Sequence, residues 1–131
     1  MDKAVIKYYR TLLKTGFAYA GSFENPSILL DTVSEDASLC SQVAGNSLHL
    51  YIDVNHGVIA RIRYLCTCDP TVNVVIEVLC KLVEGKTLAE AKNISVEAFS
   101  QAIGSQSEEY LEKARQAKEF LNRGIAKLEA S

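Results

Sequence analysis

The sequence predicts an α+β fold: a small antiparallel sheet of about three strands packed against helices. Three observations carry this. Apolar and polar residues alternate from Ser47, turn at "NHG", and alternate again. A helical apolar stripe follows Asp69-Pro70. A long amphipathic run closes the chain. Taken in order, Asp2 caps a first helix whose Val5, Tyr8, Tyr9 and Leu12 recur at helical spacing, and Gly16 stops it. "GSFENPS" reads as a turn, "ILLDTV" as a short strand and "SEDASLCSQVAG" as a loop. Leu48, Leu50, Ile52 and Val54 form the buried face of one hairpin arm. After the turn at Asn55 to Gly57, Val58, Ala60, Ile62 and Tyr64 share a face, with Arg61 and Arg63 opposite.

Asp69 suits a helix N-cap and Pro70 the first helical position, where no backbone hydrogen bond is lost. Val72, Val75, Ile76, Leu79 and Val83 make the apolar stripe, and Gly85 ends it. Thr87 and Glu90 form a capping box for a short helix, Ser95 caps another that stops at Gly104, and Ser105 with Glu108 repeats the capping pattern. The last helix turns Tyr110, Ala114, Ala117, Leu121, Ile125 and Leu128 inward.

With 131 residues, the chain is expected to form a single domain, residues 1–131, and is long enough to bury a core without covalent staples. Hydrophobic residues at 48% and charged residues at 23% place it among globular rather than disordered chains. A formal net charge of -2 without a basic block argues against a nucleic-acid partner. No apolar run approaches the ~20 residues that span a bilayer, so no membrane partner is expected. "MDKAVIKYYR" lacks the apolar stretch of a signal peptide, which points to the cytoplasm and to reduced cysteines.

The stretch "YLCTCDPTV" carries the candidate chemistry. Cys66 and Cys68 share a strand face if the strand extends that far, and Asp69 follows at the strand-to-helix corner. A helix N-terminus there favours thiolates, so the corner suits a metal ion. Cys40, in a loop, can fold back to join them. Cys80 lies about 16 Å along the helix from Asp69 at ~1.5 Å per residue, out of reach of the same ion, and reads as core. The spacing lacks the paired CxxC of a closed zinc site, so buried or incidental thiols stand beside the metal reading. His49, on a polar strand face, and His56, in a turn, read as solvated. "EGKT" lacks the earlier glycine of a phosphate loop, having Cys80 in its place, and follows a helix rather than a strand. Glu108, Glu109 and Glu112 complement the dipole of the last helix.

The stretch from "AGNSLHLYIDVNHG" through "YLCTCDPTV" to "LVEGKTLAEA" resembles the centre of the NifU/IscU-type iron–sulfur cluster scaffold domain, and "VIKYYRTLL" resembles its first helix. That family leads a Cys-Gly-Asp segment into an antiparallel hairpin, places a cysteine at the sheet-to-helix corner, and ends the next helix in Val-Lys-Gly-Lys-Thr. Here its first cysteine falls on Ala44 and its Asp on Asn46. The second cysteine falls on Asp69, one residue after Cys68. The third, at the start of the last helix, has no counterpart, because no Cys or His follows Cys80 and Glu108 to Glu112 stand in its place. The family's Leu-Pro-Pro-Val-Lys stretch is missing, and "LLKTGFAYAG" replaces its Asn-Pro-Arg-Asn segment.

The resemblance implies a divergent, non-enzymatic protein of iron–sulfur cluster assembly. It would hold metal or dock to a cysteine desulfurase or other assembly proteins. The implied ligands are Cys66, Cys68 and Asp69, with Cys40 replacing the thiol lost at Ala44. A mixed set of this kind suits zinc or iron ions better than a stable iron–sulfur cluster. Two other readings accompany it: an interaction domain that kept the fold without the metal, and a thiol redox protein using Cys66 and Cys68.

Overall fold

Chain order runs α1 (Lys3–Thr15), β1 (Ile28–Asp31), β2 (Leu48–Asn55), β3 (Val58–Cys66), α2 (Pro70–Val83), α3 (Leu88–Lys92), α4 (Val96–Ile103) and α5 (Glu108–Glu129). The structure is a computed structural model that describes residues 2–35, 37–40 and 45–130. Among these residues the fold is α+β, as the sequence predicts. The sheet has the order β1-β2-β3 with both pairs antiparallel. Its inner face carries Ile28, Leu30, Leu48, Leu50, Ile52, Ile62 and Tyr64, all buried. α2 packs against β3 and α5 against β1, and α1 and α4 lie against α2.

The hairpin is in the expected register, with Leu50 opposite Tyr64 and Ile52 opposite Ile62. The expected face fails only near the turn. A bulge at Asp53/Val54 shifts the pairing, so that Ile59 is buried while Ala60 and Arg61 both face outward. His56 (φ 52°) and Gly57 (φ 75°) both adopt left-handed backbone, as a two-residue turn between right-twisting strands requires. The outer edge of β3 is covered rather than open. Tyr64 exchanges backbone hydrogen bonds with Tyr19 and Gly21, and Ile59 does so with Gly85 and Lys86.

The caps at Asp2, Asp69, Thr87 and Ser95 form as the sequence indicates, including the reciprocal Thr87–Glu90 box. α5 differs. Its cap is Ser107, which accepts from the Tyr110 N–H, while the Ser105 hydroxyl donates to the Asp2 carboxylate. The two serines lie two residues apart, and tertiary contact with the cap of α1 claims the first. α2 is also more buried than one stripe: Thr71, Val74, Glu77, Val78 and Cys80 are enclosed as well. Phe120 and Gly124 join the inward face of α5.

Glu77 is the notable member of that set, a carboxylate 4% exposed on an otherwise apolar helix. It accepts from the Tyr64 hydroxyl at 2.9 Å and from the backbone N–H groups of Ala18 and Tyr19 at 3.1 and 3.3 Å. The Tyr64 hydroxyl also lies 3.1 Å from Asn73 Oδ1. Burial, reinforced by the neighbouring Glu77 charge, holds the Tyr64 phenol far above its usual pKa, so it stays a donor.

Two substitutions probe this packing. Glu77→Ala leaves the Ala18 and Tyr19 N–H groups without an acceptor and the Tyr64 hydroxyl with Asn73 alone, and urea unfolding is expected to show a loss of about 3 kcal/mol. Adding Tyr64→Phe in that background should cost less than it does alone, because the two groups share one network. Gly124→Val places carbon where even a Cβ would come within 2.6 Å of Leu30 Cδ1 and 2.9 Å of Ile28 Cγ2. The expected cost is about 1–3 kcal/mol of overpacking, read from the same unfolding curves.

Candidate metal centre

The corner between sheet and helix begins where β3 ends, at Cys66. Strand geometry does not extend to Cys68, so the two thiols of the CxC do not share a strand face. Cys66 pairs with Leu48 and packs on the core, partly buried. Thr67 explains the break. Its N–H donates to Ser47 O at 2.9 Å, and its hydroxyl donates to Gly45 O at 2.9 Å and accepts from Ser47 N–H at 3.0 Å. These bonds knit the strand end to the segment entering β2 and turn Cys68 away from the ladder.

Cys68 meets Cys40 instead. The two are joined as a disulfide, with Cα atoms 5.6 Å apart across 28 residues of sequence. This corrects the expectation that all four cysteines are free; Cys66 and Cys80 are. Cys40 reaches the corner because the residues just before it, among them Glu35, Ser38 and Leu39, lie along α5. Ala37 and Leu39 are buried there. Lys127 ion-pairs with the Glu35 carboxylate, Arg123 donates to Glu35 O at 2.9 Å, and Lys113 donates to Leu39 O at 2.9 Å, one residue before Cys40. Across the corner, Thr71 Oγ1 lies 3.4 Å from a Glu109 oxygen, so the start of α5 touches both sides of the thiol pair. Sequence reasoning gave Glu109 only a dipole role and passed over Lys113.

Asp69 stands at the corner, exposed, with Oδ1 accepting from the Val72 N–H at 3.0 Å. That bond caps α2, and the second carboxylate oxygen has no intramolecular bond among the described residues. Burial raises the pKa of the Cys66 thiol. The Cys68 N–H directed at its sulfur opposes this, and the Asp69 charge adds to it. Cys80 is fully enclosed in the core, as expected, and its thiol is raised well above the usual range by burial. His56 is exposed in the turn, and His49 sits on the outer sheet face opposite Asp31, whose carboxylate is engaged by Val33 and Ser34. Ala44, where the family's first cysteine aligns, lies outside the described residues. Among the described residues no three His, Cys, Asp or Glu side chains gather into a group able to hold a metal ion, and no helix is long and apolar enough to cross a membrane.

The family model described as "NifU-like N terminal domain" matches residues 20–131. No curated protein matches the sequence. Among solved structures, a nitrogen-fixing NifU-like protein (N-terminal) from Brucella abortus superposes with a TM-score of 0.59 at 16% identity, covering 99% of this chain and 94% of that one. A putative iron–sulfur cluster assembly scaffold protein for the SUF system from Fervidobacterium islandicum gives a TM-score of 0.51 at 16% identity, covering 94% of this chain and 85% of that one. At such identity the likeness is one of fold.

Peptide mapping checks the sulfur pairing. Without reductant, the cross-linked peptide pair should contain Cys40 and Cys68, and Cys66 should alkylate slowly. A Cys66–Cys68 bond would refute the arrangement.

Proposed function

The chain belongs to the NifU-like N-terminal domain family, and from that premise we propose that it serves iron–sulfur cluster assembly by handling metal at the sheet-to-helix corner. Cys40 and Cys68 are the primary sulfur donors, Cys66 a third and Asp69 an oxygen donor. The observation that supports this reading is the convergence of Cys40 and Cys68 from positions 28 residues apart onto the corner. The family's own cysteine pattern is displaced there, yet sulfur is still delivered to the same place.

The metal is cargo in this reading, and the oxidised corner does not fit it: a disulfide offers no thiolate, and no three-ligand group is assembled. Loading therefore requires reduction first. Two electrons from a thiol reductant and two protons convert the bond into two thiols, and a soft divalent ion then displaces the thiol protons on binding. Two or three sulfurs with one carboxylate oxygen suit Zn²⁺ or Fe²⁺ better than a cluster. The protein acts by holding and docking rather than by turnover. Its partners are a cysteine desulfurase or other assembly proteins, and its place is the cytoplasm.

A thiol redox role is the second reading, favoured by the bond itself, with Cys40–Cys68 as the working pair in place of Cys66–Cys68. Elemental analysis separates the two. Reduced, untagged protein exposed anaerobically to Fe²⁺ or Zn²⁺ is expected to retain about one ion per chain. Cys68→Ser and Cys40→Ser should each abolish retention, and unreduced protein should take up none. Reduced protein that binds no ion, while its bond reforms rapidly and reversibly, sinks the metal role and leaves the redox one.

A further inference from the structure

α1 carries Lys3, Lys7, Arg10 and Lys14, all exposed. At 3.6 residues per turn they fall within an arc of about 60° and run for roughly 16 Å along the helix. The face opposite, with Val5 and Leu12, is buried in the core. None of the four cations has an ion pair among the described residues. The contrast with α5 is internal to the molecule: there Arg115 pairs with Glu108 and Glu112, and Arg123 pairs with Glu119. α1 has no acidic residue after its cap, and the Asp2 carboxylate is committed to the Ala4 and Val5 N–H groups and the Ser105 hydroxyl. Like charges three and four residues apart repel. The helix therefore keeps an arrangement that works against its own stability, in a chain whose formal net charge is -2.

We propose that this stripe is a docking face for an acidic segment of a protein partner. The same side chains, with Ile6 and Thr11, line an open groove along the helix. Leu13, 60% exposed on the Ile6 side, adds an apolar flank. A carboxylate-bearing helix laid in the groove would meet four unpaired cations and cover that flank. A protein fits better than an anionic membrane, because the apolar face that would enter lipid is already spent on the core. The negative overall charge disfavours a nucleic acid. The stripe precedes residues 20–131, the stretch matched by the family model, and includes no residue of the thiol corner, so it stands independently of the metal reading.

The test titrates three probes: a helical peptide of about 20 residues with Glu at matching three- and four-residue spacing, phosphatidylcholine vesicles with ~30% phosphatidylserine, and duplex DNA. The peptide is expected to bind, and more weakly as salt rises from about 50 to about 200 mM. Lys7→Glu/Arg10→Glu should lower its affinity at least about tenfold, and Lys7→Gln/Arg10→Gln should lower it in the same direction, with helicity and thermal midpoint preserved. Lys81→Glu/Lys86→Glu makes the same change in net charge on exposed residues outside α1 and should change affinity less than about twofold. Equal losses in both charge-reversed variants, no binding of the peptide, or tighter binding of vesicles or DNA would each overturn the proposal.

Discussion

The buried carboxylate of Glu77 sets the geometry around which the rest is arranged. It ties the middle of α2 to Tyr64 on β3 and to the backbone just after α1. A carboxylate that deep is tolerable only when its oxygens are fully engaged, and here they accept from three groups on two different parts of the chain. That requirement fixes α2 in rotation and translation against the sheet. Because the Asp69 cap and Pro70 start the helix, that placement sets where Asp69 and Cys68 sit relative to the strand end. The segment after α1 is held at the same point, which lets it cover the edge of β3 through Tyr19 and Gly21.

The regular elements were legible because their signals are local. Alternation in β2, the Asp69-Pro70 start and the Thr87–Glu90 box each need only a few neighbouring residues. The errors arose where distant parts compete. Ser105 has the right chemistry for a cap, but Asp2 takes its hydroxyl and Ser107 caps α5 instead. The bulge that buries Ile59 depends on pairing, which alternation alone does not encode. Glu77 left a trace that could have been read, a lone acid amid Val and Ile in an apolar run. Lys113 left none, since a surface lysine that holds a loop carbonyl looks like any other until the loop is in place.

The candidate site was half legible. Cys68 and Asp69 do occupy the corner, and Cys40 does return to it. The pairing was missed because it depends on Glu35 and Leu39 being held against α5 by Lys127, Arg123 and Lys113, contacts 74 to 92 residues apart in sequence. Thr67 also escaped notice, although its hydrogen bonds are what separate the two thiols of the CxC. The family resemblance located the corner. It brought Cys66, Cys68 and Cys40 to that corner but not their pairing, because this chain departs from the pattern at each of the family's cysteine positions.

The Cys40–Cys68 bond closes a loop that contains the whole β2–β3 hairpin. Such a closure removes conformations from the unfolded chain and contributes roughly 3–4 kcal/mol by loop-entropy reasoning. That is a large share of the ~5–15 kcal/mol that typically separates folded from unfolded protein. The reduced chain is therefore more fragile than the disulfide-bonded one and more exposed to proteolysis.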